Sequence, residues 1–114
     1  DPLTLFFFFF KRFEPLPAGT LVLPSHGLPF VGLHQRVAQL IEHHDERFES
    51  VLKTCALQPT SAAELLPVLF HRSLDFHQTT FAIGESIAHL HALWIKGQLV
   101  RHTGADGVHR FSPV

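Results

Sequence analysis

The sequence predicts a mainly α-helical chain with a small β component, and three observations carry that prediction. Apolar residues recur at spacings of three and four from Leu33 to Cys55, the period of one helical face. Two further stretches, one beginning at Ser61 and one near His77, carry helix start signals or the same period. Two short β-prone runs follow, Leu99 to Thr103 and Val108 to Ser112, joined through Asp106-Gly107, a tight-turn dipeptide. Three helices and then a hairpin is the order of a winged helix, and residues 33–114 are read as one winged-helix-like domain. Residues 1–32 read differently, as the last helix and strand of an α/β unit.

Residues 2–13 suit a short helix, with Pro2 in its first turn, broken by the prolines and glycine of residues 14–19. Within it, Phe6 to Phe10 are five consecutive phenylalanines. Such a run is unusual in a soluble chain. It reads either as a buried segment lacking its partner surface, with self-association as the expected result, or as a fault in the sequence itself. Thr20 to Leu23 is β-prone and stops at Pro24.

The first long helix, about 34–57, places Leu33, Val37, Leu40, Ile41, His44, Phe48, Val51, Leu52 and Cys55 on one face. Gln39, Glu42, His43, Glu46, Glu49 and Lys53 fall on the other. Glu49 and Lys53 stand in the favourable i,i+4 order, worth about 0.3 kcal/mol. Pro59 follows this helix, Ser61 and Glu64 have capping-box spacing, and Pro67 is expected to end or kink the short second helix. The third helix, about 77–97, is expected to turn Ile83, Gly84, Ile87, Leu90, His91, Trp94 and Ile95 inward. Glu85, His89, Ala92 and Lys96 would form its outer stripe, and Gly97 its C-cap.

With 114 residues, 46% hydrophobic and 17% charged, the chain is one globular domain's worth of sequence. Its formal net charge of −1 argues against a nucleic-acid binder, which needs a basic excess or a basic face. The third helix offers only Glu85, His89 and Lys96 to such a surface and the hairpin only Arg101 and Arg110. The single cysteine, Cys55, excludes an intrachain disulfide and a Cys-rich zinc site; on the apolar face it reads as a buried, inert thiol, and a cytoplasmic location fits. The first residues lack a basic signal-peptide start, Leu5 to Phe10 is too short to span a bilayer, and no methionine occurs. The chain is therefore expected to be a fragment from inside a longer one, with no membrane association.

Ten histidines are scattered through the sequence. His26 sits after a strand end, between Pro24 and Pro29, with Gly27 free to take a positive φ beside it. That placement suits either a metal ligand or acid/base group on a stiff loop, or a turn residue whose imidazole is incidental. His44, on the apolar stripe, reads as a buried, hydrogen-bonded structural histidine. His43 and Arg47 stand at i,i+4 on a polar border. His89 and His91, two apart on a helix, point in different directions and do not share a metal. His102 and His109 are expected to face each other across the hairpin without forming a zinc site, for want of a third ligand.

The stretch from Thr20 to Leu52 resembles the end of a metallo-β-lactamase-fold hydrolase of the hydroxyacylglutathione hydrolase-like group, which carries an appended winged helix. The resemblance rests on Pro24-Ser25-His26-Gly27, on His44 with Arg47, and on the helical tail written "AAELLPVLF" and "GESIAHLHALWIKGQLVR". It covers about residues 15–112 and makes residues 1–32 the remnant of the metallo-β-lactamase-fold domain. It implies that His26 is the last ligand of a one- or two-ion centre, usually zinc, and it assigns no other catalytic or cofactor-binding residue here. The remaining ligands of that family lie in an H-x-H-x-D-H motif, a further His and a bridging Asp earlier in the chain, none of which is present. Asp1 does not match the bridging Asp, and the phenylalanine run departs from the mixed amphipathic helix of the family. The implied substrates are small molecules, among them thioesters, lactones and lactams, with RNA also known in the family. The implied chemistry is attack by metal-activated water, and the fragment alone is expected to be inactive. The competing reading is a stand-alone winged-helix module that binds nucleic acid or a protein partner.

Overall fold

In a computed structural model that describes residues 1–114, the chain opens with helix α1 (Pro2–Phe10). The Asp1 carboxylate accepts hydrogen bonds from the backbone N–H groups of Leu3 and Thr4, satisfying two of the donors that a helix start leaves free. A 3-10 turn (Lys11–Phe13) continues α1. One stripe of the helix, Leu3, Phe7 and Phe10, faces the rest of the molecule, and of these only Phe10 is fully buried.

Residues 14–32 form an irregular arm. The strand expected at Thr20 to Leu23 is not formed as such: Val22 pairs with Phe30 through two backbone hydrogen bonds of 2.8 and 3.1 Å, and the pairing goes no further. A β-prone run becomes a strand only beside another one, and here its single neighbour is its own return at Phe30.

Helix α2 (Leu33–Leu57) follows, entered through Gly32 at φ 102°. It buries Leu33, Phe48, Val51 and Cys55 from the predicted apolar face. Glu49 and Lys53 do not form the expected ion pair; the ion pairs of the molecule are Arg47–Glu85, Arg110–Glu64 and Arg110–Asp106. Solvent competes for both charged groups of an exposed i,i+4 pair, so its geometry is weakly held. The Ser61 capping box is present, with Ser61 N–H donating to the Glu64 carboxylate and Glu64 N–H donating to Ser61 Oγ. The helix proper, α3 (Leu66–Leu69), begins after it, with Pro67 in its first turn. The proline neither ends nor kinks it, because a first-turn residue has no intrahelical N–H bond to lose.

Helix α4 (Phe76–Ile95) starts from a full capping box between Asp75 and Gln78. Its buried residues are Ala82, Ser86, His89, Leu90, Ala92 and Leu93, so the helix is rotated from the predicted face. Leu90 is inward as expected, whereas Ile87 and Ile95 are exposed and His89 and Ala92, predicted outward, are buried. Small residues decide the rotation. Ala82, Ser86 and Ala92 permit close approach of the neighbouring backbone, and Ser86 Oγ donates to the Ala62 carbonyl at 2.8 Å. A count of apolar side chains gives such positions no weight.

Strands β1 (Leu99–Thr103) and β2 (His109–Pro113) form the antiparallel hairpin, after Gly97 at φ 78°. The register sets His102 opposite Arg110 and Thr103 opposite His109, so the two histidines do not face each other. Each ring bonds a hydroxyl instead, His102 that of Ser112 and His109 that of Thr103. Thr60 makes a two-bond bridge to Phe111, which ties the start of the α3 region to the hairpin. The core lies where α2, α3, α4 and the hairpin meet, around Val51, Leu65, Leu90, Leu99 and Phe111. No helix is long and apolar enough to cross a membrane.

Candidate functional site

The His26 loop projects from the arm between α1 and α2. Its base is closed by the Val22–Phe30 bridge, and Gly27 takes φ 91°, a left-handed conformation that glycine adopts without strain. A second tie comes from α2, where His34 Nε2 lies 2.8 Å from the Leu16 carbonyl oxygen. The carbonyl only accepts, so His34 carries its proton on Nε2. The His26 imidazole is exposed and free of the hydrogen bonds that fix the rings of His34, His44, His89, His102 and His109.

Beneath the loop lies a groove of about 530 Å³, lined chiefly by apolar side chains of the arm and the first turns of α2, among them Phe13, Leu21, Phe30, Leu33 and Val37. Arg36 is the one charged residue in it. Nowhere do three or more His, Cys, Asp or Glu side chains converge closely enough to hold a metal ion. His26 thus stands as one free ligand without companions. Chemically it suits a metal: an exposed imidazole on a loop stiffened by two prolines is a ready nitrogen donor.

The other histidines go to structure. His44 is half-buried rather than fully buried, and its Nδ1 donates to the Leu40 carbonyl at 2.7 Å. His89 does the same one helix away, with Nδ1 2.7 Å from the Glu85 carbonyl, and its ring lies parallel to that of His44 at 5.6 Å between centroids. Burial pushes the His89 pKa down, and the neighbouring His44 and Arg47 add to that against the Glu85 carbonyl bond. Arg47, placed by sequence beside His43, reaches across to α4 and binds Glu85 at 2.7 Å while lying over the Phe70 ring. Sequence reading missed this α2–α4 junction; the available signal was the small residues Ala82 and Ser86, whose helical face His89 continues. His91 packs on Trp94 and Phe111, and burial lowers its pKa. Cys55 is buried as predicted, and burial raises its thiol pKa despite a hydrogen bond with Thr60.

Residues 48–114 match the family model described as "Metallo-beta-lactamase-like, C-terminal domain". The chain belongs to this metallo-beta-lactamase-like family. The crystal structure of a beta-lactamase domain protein from Burkholderia ambifaria superposes on all of the chain with a TM-score of 0.97 at 50% identity. A metallo-beta-lactamase family protein from Thermus thermophilus does so with a TM-score of 0.81 at 30% identity. The metallo-beta-lactamase-like chain described here spans 34% of the length of each. No curated protein matches it. Its arm and its helical domain therefore recur together, in the same arrangement, within larger proteins of the family.

Proposed function

We propose that these residues are the C-terminal part of a metal-dependent hydrolase in which His26 supplies one ligand of a zinc centre. The observation that carries this reading is the free His26 imidazole on its braced loop, in a chain whose full length superposes on a beta-lactamase domain protein three times as long. Residues 1–32 belong, in this reading, with the preceding α/β domain, and residues 33–114 form a winged-helix-like appendage. The order of three helices and a hairpin, with Thr60 bridged to the hairpin, supports that architecture.

His26 would hold one side of a zinc ion, and such an ion would supply a bound water of near-neutral pKa and a Lewis acid for the scissile bond of a thioester, lactone or related small molecule. This chain's contribution is positional. The Val22–Phe30 bridge, Pro24, Pro29 and the His34–Leu16 bond hold the loop, so that the His26 nitrogen is presented without a large ordering cost. The groove under the loop offers a mainly apolar lining to one side of it.

Two experiments test the proposal. The 114 residues alone are expected to show no chelator-sensitive thioester hydrolysis, because one histidine does not make a zinc site. In the complete protein, His26→Ala is expected to reduce bound zinc, measured by elemental analysis after gel filtration. Unchanged zinc content in that variant overturns the assignment. The nucleic-acid alternative loses support from the hairpin. Arg101 lies 4.1 Å from the centre of the Trp94 ring, and Arg110 is engaged by Asp106 and Glu64.

A further inference from the structure

A second groove, of about 520 Å³, lies between α4 and the hairpin and shares no lining residue with the groove beneath the His26 loop. Most of its lining is apolar, with Ile83 and Ile87 from α4 and Phe111 from β2. Ile87 stays 41% exposed there, turned away from the core by the rotation of α4. Three basic side chains join this lining, Arg101 from β1, His91 from α4 and His109 from β2, and no carboxylate does. Arg101 takes part in none of the ion pairs of the molecule. It lies over the Trp94 ring at 4.1 Å, and a guanidinium held by its face keeps the N–H donors of its edge for another partner. Glu64 and Asp106, the acids beside the hairpin, are both paired with Arg110. His91 registers the same imbalance. Burial first, then Arg101 and His109, holds its pKa below the ordinary value, and no acidic group acts against them.

We propose that this groove is a binding site for a small amphipathic carboxylate, its apolar body laid along Ile83, Ile87 and Phe111 and its carboxylate on the edge of Arg101. An apolar lining by itself accepts any apolar group. An arginine without a carboxylate of its own selects an anion, and it meets a carboxylate with two parallel N–H···O bonds. The apolar surroundings strengthen such a pair relative to one in open water. Trp94 holds the guanidinium in place beforehand, so little side-chain freedom is lost on binding. Size separates a small molecule from a protein partner. A concave site of about 520 Å³ falls within the range of small-molecule sites, whereas a stable partner chain covers about 800 Å² of surface. The site is independent of the metal reading, since all its lining residues fall within 61–111 and none belongs to the His26 loop.

The test is a ligand-observed NMR titration of the complete protein with hexanoate and with hexanamide, its uncharged twin. Hexanoate is expected to bind saturably and about tenfold more tightly than hexanamide. Arg101→Gln is expected to bring the acid down to the level of the amide. Ile87→Glu, at a partly exposed position, sets a carboxylate in the groove and is expected to abolish hexanoate binding while the chain stays folded. A carboxylate also binds zinc, so the titrations are repeated in His26→Ala. Hexanoate binding that survives in His26→Ala and falls in Arg101→Gln supports the site, whatever the fate of the metal reading. Hexanoate affinity unchanged in Arg101→Gln assigns the acid to another place, the metal included, and overturns the proposal. Equal binding of acid and amide overturns it as well, by showing a groove without an anion site. So does the absence of saturable binding by either compound.

Discussion

His89 of α4 lies parallel to His44 of α2, 5.6 Å between ring centres with 3° between planes, and its Nε2 is buried without a hydrogen-bond partner. Both rings spend their Nδ1 proton on a carbonyl of their own helix. Neutral rings stack there without repulsion; charged ones do not. The junction between the two longest helices therefore favours a neutral His89.

Stability is expected to fall in mild acid. Burial holds His89 below its ordinary value of 6.5, so between that value and its folded pKa the unfolded chain binds more protons than the folded one. The stabilisation is fully present above 6.5 and is lost as pH falls towards the folded pKa. Urea midpoints at about pH 7.5, 6 and 5 measure it. His89→Leu should flatten the slope in part, leaving the share of His91, which burial also shifts down. An unchanged slope in the variant would show that His89 does not titrate as described.

Arg47→Ala is expected to cost more than its ion pair is worth. The Arg47–Glu85 bond is partly solvated, and a double-mutant cycle with Glu85→Gln should return about 0.5 kcal/mol. The single change also removes the packing of Arg47 on Phe70, raising the total to about 1–2 kcal/mol. Equal values for the cycle and for the single change would contradict this division.

Asp75→Ala removes the side-chain acceptor of the α4 capping box and should destabilise the chain by about 1 kcal/mol. Asp75→Asn should recover most of that, since Asn also accepts from the N3 N–H. Thermal unfolding of the two variants side by side distinguishes a lost cap from a lost charge.

Gly27→Ala tests the loop. A Cβ at this position meets no atom within 4 Å, so the cost is purely one of backbone strain at φ +91°. About 1 kcal/mol is expected. The arm contributes little to the core, so global stability should move less than zinc affinity in the complete protein. A variant that binds zinc like the parent would show that loop stiffness is not what presents His26.

Burial in α4 is only half legible in the sequence, and Leu90 with its neighbours shows where reading by hydropathy stops. Leu90 falls inward by its period. Ile87 and Ile95 fall inward by the same rule and are exposed, because the helix turns its small residues to the crowded side. Hydropathy ranks residues by transfer energy alone, whereas close packing also rewards what is absent, as at Ala82, Ser86 and Ala92.

What the sequence by itself determined is local. Capping boxes at Ser61 and Asp75, the long period of α2, the positive φ of Gly27 and Gly97, and the turn at Gly107 depend on residues within a few positions of one another. What only the tertiary structure decided involves distant partners. Thr20 to Leu23 lost its strand for want of a neighbour, the two hairpin histidines were parted by register, and Arg47 left His43 for Glu85, 38 positions away. The His26 loop belongs to both kinds. Its prolines and glycine are written in order along the chain, but whether its imidazole meets a metal depends on residues that another part of the protein must bring, because coordination is a property of convergence in space.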